Sequence, residues 1–215
     1  MPLSEENNWE KLFPNLPAYK KYKELDNVDI KDYNHEKCDK LAKSDDGDKI
    51  LCKQILKNLS ILKDKKGEEQ ARGCYYFQNW LHEKINEKYY NGKNQSSKDY
   101  ITNKLFDFVA EDISTNGINR ACSGNSFGIP KTWKEGKDLY DYFENFEHIE
   151  CKDSAKDECQ KYVKYVTYID PIYYNKTSRC CDGEELEPHC NSSTKCEYKY
   201  NTKELVDKLK NNFKY

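Results

Sequence analysis

Apolar residues along this chain recur at steps of three and four, the spacing that puts them on one face of a helix. From Asp48 to Lys63 the stripe is Leu51, Ile55, Leu59 and Leu62. Between about 68 and 90 it is Cys74, Phe77, Leu81 and Ile85, with Trp80 beside it. A third stripe runs through Ile101, Leu105, Phe108 and Val109, and Ser96 three residues before Asp99 reads as a capping box. Leu139, Tyr142, Phe143 and Phe146 predict a helix over 132–149. Ala155, Cys159, Tyr162, Val163 and Val166 predict one over 153–170, which Pro171 should stop or kink. The run YVKYVTYI at 162–169 has strand-like composition, but its apolar spacing extends back through Cys159 and Ala155 and argues for helix. Asn201, with Glu204 three positions on, caps a last helix whose inner face is Leu205, Leu209 and Phe213.

The ends and joints follow from polar and helix-breaking residues. Ser4 is a candidate N-cap for a short helix ending near Phe13, broken by Pro14 and Pro17. LPAYKKYKELD then restarts. Residues 30–43 fit a helical period loosely, with Ile30, Tyr33, Cys38 and Leu41. SDDG at 44–47 reads as a turn and KDKKGEEQ at 63–70 as a solvated linker. Residues 114–130, with three glycines and a proline, read as a loop, as do the cysteine-containing residues 176–200. Period-two alternation is nearly absent, so the fold class is mainly α. At 215 residues the length suits a single domain.

Composition qualifies this picture. Charged residues make up 34% and hydrophobic ones 36%, with a mean hydropathy of −1.10. Net charge is only −2 and aromatics reach 13%, which separates the chain from disordered polar sequences. Eighteen tyrosines carry much of the buriable area, and each needs a partner for its hydroxyl when buried. A pI near 6.2 gives no basic footprint for nucleic acid. Thirty-three lysines against three arginines also argue against bidentate phosphate recognition. No apolar run approaches the ~20 residues of a membrane span. The N-terminus MPLSEENNWEKLF lacks the apolar core of a signal peptide.

Ten cysteines, at 38, 52, 74, 122, 151, 159, 180, 181, 190 and 196, point to a disulfide framework in an oxidising setting. A zinc site at Cys180, Cys181, His189, Cys190 and Cys196 is the alternative, but the spacing matches none of the usual ligand pairs. His82-Glu83 lacks the second histidine of a zinc-protease helix, since position 86 is asparagine. The pair leaves the apolar stripe and is expected on an exposed polar edge. CSGNSFG at 122–128 lacks the strand and lysine of a phosphate loop. No assembled catalytic, cofactor or metal site is legible. Sequons at Asn58, Asn94, Asn175 and Asn191 are weak support for an extracellular setting.

LPAYKKYKELD, Cys38, ILCKQILKNLSIL, CYYFQNWLHEKI, KDLYDYFENFEHI, then Cys159 in a tyrosine-rich helix and the adjacent Cys180-Cys181, taken in that order, resemble the Plasmodium interspersed repeat (PIR) superfamily. The resemblance is to its vir members and spans about residues 16–210. It departs from the pattern in two places: KLKNNF stands where relatives often carry a cysteine, and these 215 residues include no membrane segment.

The resemblance implies one disulfide-linked helical ectodomain over 1–215. Residues 1–16 would be an N-terminal helical extension, 176–200 a cysteine-rich loop and 201–215 a C-terminal helix. It also implies a non-enzymatic variant antigen exported to the infected red cell, anchored through a C-terminal segment outside this chain. Host cell-surface proteins or antibodies would be its partners, with loops 114–130 and 176–200 favoured for binding. A structural or trafficking module inside the infected cell, with reduced thiols, is the alternative. Ten cysteines allow many pairings. Cys38 with Cys52 and Cys151 with Cys159 are local options, and Cys74 with Cys122 would tie the central helix to the long loop.

Overall fold

The computed structural model describes residues 8–123, 129–151, 156–181 and 194–211. Its α-helices, in chain order, are α1 (Trp9–Leu12), α2 (Pro17–Asp26), α3 (Glu36–Asp39), α4 (Asp46–Lys63), α5 (Gly67–Ile85), α6 (Asp99–Asn116), α7 (Pro130–Asn145), α8 (Lys156–Cys180) and α9 (Thr202–Asn211). No strand occurs among the described residues, and the mainly α expectation holds. The run at 162–169 lies inside α8. The chain divides into two compact units. One is centred on Lys20–Lys134. The other comprises Glu135 onward together with the segment ending at Tyr19.

In the first unit α5 is the central element. Its buried residues are Gln70, Cys74, Tyr76, Phe77, Trp80, Leu81, His82 and Ile85, more than a single stripe. α4 covers it with Leu51, Ile55, Leu56, Leu59 and Leu62. A Cβ added at Gly73 would meet Leu62 Cδ2 at 2.5 Å, so this glycine permits the close approach of the two helices. Each large apolar side chain fully buried here contributes about 1.5–3 kcal/mol. Trp80 places its indole N–H 2.8 Å from Asp26 Oδ1, which satisfies the one polar atom it buries. α5 passes into a π-helical turn, Asn86–Tyr90, and ends at Asn91 in the left-handed conformation. α6 ends at Gly117, also left-handed.

In the second unit, α1 lays Trp9 and Phe13 against the tyrosines of α8. Phe13 stacks on Tyr162 at 4.6 Å, and Trp9 lies 5.3 Å from Tyr165 and 5.5 Å from Tyr168. The N-terminal segment is therefore part of this unit's core, with Trp9, Phe13 and Leu16 all buried. α9 packs on α8 through Leu205 and Leu209, and the Thr202 hydroxyl donates to Asp170 at 2.6 Å. Asn201 Oδ1 accepts from the backbone N–H of Lys203 and Glu204, the expected cap.

Several local expectations change. α8 runs through Pro171 to Cys180 rather than stopping there. Pro171 and Thr167, whose carbonyl loses its helical partner, are both exposed residues of α8. Residues 176–180 are consequently helix, not loop. Ser96 is no capping box for α6. Its hydroxyl accepts from the Lys98 N–H and pairs with Thr102, and the helix starts at Asp99 with no side-chain cap. Phe108 is only half-buried beneath the Lys37 ammonium, and Phe106 takes the core position instead. Phe146 is half-buried and lies in a 3-10 turn, Phe146–His148, after α7 ends. His82 is not on an exposed edge, because it is 4% exposed. Ser4, Ala155 and Phe213 lie outside the described residues.

Candidate interaction surface and its disulfide frame

Disulfides join Cys38 to Cys52, Cys74 to Cys122, Cys151 to Cys159 and Cys181 to Cys196. Cys180 is also disulfide-bonded, and Cys190 lies outside the described residues. With these sulfurs committed to bridges, the described part of the zinc alternative is removed. No group of three His, Cys, Asp or Glu side chains is placed to hold a metal among the described residues. Each bridge fixes a joint. Cys38–Cys52 ties the short α3 to α4. Cys74–Cys122 ties α5 to the 3-10 turn Arg120–Ser123. Cys151–Cys159 holds the entry to α8, and Cys181–Cys196 joins the exit of α8 to the chain before α9.

The two favoured loops are shorter than expected. Within 114–130, residues 114–116 finish α6, Ile118 is buried and Cys122 is bridged. Pro130 opens α7, and residues 124–128 lie outside the described set. Within 176–200, residues 182–193 lie outside it as well. Residues 194–200 lead into a 3-10 turn, Tyr198–Tyr200.

That turn displays the most exposed ring among the large hydrophobics of the described residues, Tyr198 at 72%. It is held, not loose, because its hydroxyl donates to Glu204 Oε1 at 2.8 Å. Tyr174 on α8 lies beside it, with Lys203 Nζ 4.8 Å from its ring centroid and the Asn201 amide donating to its hydroxyl at 3.4 Å. Behind them Tyr200 is buried, its carbonyl accepting from the Tyr142 hydroxyl at 2.8 Å. Lys199 lies over the Tyr200 ring and pairs with Glu147 at 3.1 Å. The result is an amphipathic aromatic surface anchored to two helices. Sequence reasoning placed a loop here and missed which residues face out. EYKY gives no periodicity from which to choose.

The aromatic stretch of α5 proves structural in detail. His82 stacks on Trp133 with ring centroids 4.7 Å apart and planes 7° apart, beside Phe106. Burial holds its pKa down at about 3, so it is neutral at physiological pH. Trp133 itself carried no signal beyond being a tryptophan near the start of a helix.

A second cluster also escaped the sequence reading. Asp45 and Asp48 form a reciprocal capping box on α4. Asp48, with its side chain fully buried, accepts from the Tyr89 hydroxyl at 2.9 Å and from Lys98 Nζ at 2.8 Å, and Lys88 Nζ lies 3.4 Å away. Burial pushes the Asp48 carboxyl up, but the Lys98 ammonium, the Asp45 N–H and the Tyr89 hydroxyl outweigh it and hold it below its ordinary value. Lys98 holds Asp45 down to about 2. Burial, then Asp48, raises Tyr89. The SDDG run reads as a turn, and nothing local names lysines forty or fifty residues away.

The bridged helices define the class: a non-repetitive, disulfide-linked helical protein. A family model described as the Plasmodium vivax Vir protein matches residues 16–215, and the chain belongs to that family of Plasmodium variant surface antigens, within the PIR superfamily. No curated protein and no solved structure matches it. No helix among the described residues is long and apolar enough to cross a membrane.

Proposed function

We propose that this chain is a non-enzymatic ectodomain exported to the infected red cell, where it binds a host cell-surface protein and presents variable segments to antibodies. The observation that carries the reading is the Tyr198–Tyr174 surface. Tyrosine is enriched among residues that dominate binding energy, and a side chain already fixed by hydrogen bonds loses little entropy on docking. The bridges fit an oxidising setting outside a reducing cytosol. In that setting a helical frame with closed joints tolerates change on its exposed segments.

The test is a screen of host red-cell, endothelial and immune-receptor ectodomains against the oxidised protein. A saturable binder weakened at least about tenfold by Tyr198→Ala, a loss of about 1.4 kcal/mol, is expected. A saturable binder indifferent to Tyr198 and Tyr174 would move the contact to another surface. No binder at all would leave only the antigenic role.

A further inference from the structure

The chain contains two Asn–Gly pairs, Asn91-Gly92 and Asn116-Gly117. Asparagine followed by glycine undergoes the least hindered intramolecular attack of any asparagine, because no Cβ shields the following backbone nitrogen. The fold treats the two pairs oppositely. At Asn116 the side-chain amide donates to the Asp112 carbonyl at 3.1 Å and to its carboxylate at 2.9 Å. The Gly117 N–H is occupied as well, donating to the Ile113 carbonyl as the α6 cap. Both electrophile and nucleophile are tied down.

Asn91-Gly92 has neither restraint. Both residues are exposed, in the turn that leaves the π-helical end of α5. No hydrogen bond from the Asn91 side chain or the Gly92 N–H is formed among the described residues. Asn91 has φ +47° and Gly92 φ +79°. The left-handed region is one an L-residue leaves readily, and the turn is held by Asn91 N–H to Asn86 and Lys93 N–H to Tyr90, both at 2.9 Å, neither of which involves Gly92 nitrogen.

We propose that Asn91 is a site of spontaneous deamidation built into this surface, and that Asn116 is protected. The Gly92 nitrogen loses its proton to water and attacks Asn91 Cγ. A new C–N bond closes a five-membered succinimide, the Cγ–Nδ2 bond breaks, and ammonia leaves with the proton. Water then adds to either imide carbonyl and opens the ring to aspartate or isoaspartate, with no change of oxidation state. Either product adds a negative charge to an exposed turn next to Lys93, and isoaspartate also lengthens the backbone by one methylene. This holds whatever the chain binds.

The experiment incubates the oxidised full chain at physiological temperature and pH and maps its peptides by mass spectrometry over time. The peptide holding Asn91 gains about one dalton and splits into two isomers. The Asn116 peptide lags several-fold behind. In the unfolded, reduced chain both sites react at similar rates. Asn91→Gln abolishes the acidic variant that accumulates in the native protein on isoelectric focusing. The proposal is overturned if native Asn116 reacts as fast as Asn91, or if Asn91 reacts no faster than exposed Asn94 and Asn103, which lack a following glycine.

Discussion

At the scale of single residues, two side chains carry distinct consequences. His82 is neutral in the fold, with its pKa near 3 against an ordinary 6.5. Between those values the unfolded chain binds a proton that the folded chain does not. Stability therefore rises with pH across this window and falls as pH drops below 6.5, by at most about 1.4 kcal/mol per pH unit. His82→Phe, which keeps an aromatic ring against Trp133, should flatten that slope in urea titrations from neutral pH down to about pH 4. An unchanged slope would assign the acid sensitivity elsewhere. Tyr198 is the opposite case. It is exposed and touches little of the core, so Tyr198→Ala should leave stability within about 0.5 kcal/mol of the parent. That makes it a clean probe of binding.

At the scale of elements, the α4 N-terminus and the α5–α6 connection are joined by charge. Asp48 is buried, and Lys98 and Lys88 converge on it from the far side of that connection. Lys98→Met would leave the carboxylate with Lys88, Tyr89 and the Asp45 N–H. The expected outcome is a loss of stability, short of that of a fully unpaired buried charge because one cation remains. Chemical denaturation of Lys98→Met beside Asp48→Asn checks this, and a change below about 0.5 kcal/mol in both would show the clamp to be dispensable. The lowered carboxyls of Asp45 and Asp48 add stability above their ordinary range, lost as pH falls toward 2. A polar turn at 44–47 was readable in the sequence, though not the cap at Asp45. The lysines were not, because they are adjacent only after α5 and α6 have folded.

At the scale of the whole molecule, the bridges differ in reach. Cys74–Cys122 spans 48 residues, Cys38–Cys52 14 and Cys151–Cys159 8. Loop-closure entropy ranks their contributions at about 4, 3 and 2.5 kcal/mol. Paired serine replacements should destabilise in that order in guanidinium titrations, with Cys74→Ser/Cys122→Ser lost first from expression. Intact mass before and after reduction should rise by about two daltons per bridge. A mass showing mostly free thiols would instead favour the reducing interior of the host cell.

The amino-acid sequence by itself determined the helical class, because a three-four spacing of Leu, Ile, Phe and Tyr can be buried in no other way. It also determined which helices carry the core at Phe77, Trp80, Leu81 and Ile85, and the cap at Asn201. Tertiary structure decided what those local rules leave open. Pro171 stays in a helix, on the exposed side of α8 with Thr167, and His82 is buried because α5 is covered on more than its apolar stripe. Tyr198 faces out while Tyr200 two residues later faces in, because Tyr142, Phe143 and Phe146 are packed behind the turn. Burial on a given side depends on which neighbours arrive, and those neighbours come from distant parts of the chain, as Phe106 and Trp133 do for His82 and Tyr142 for Tyr200.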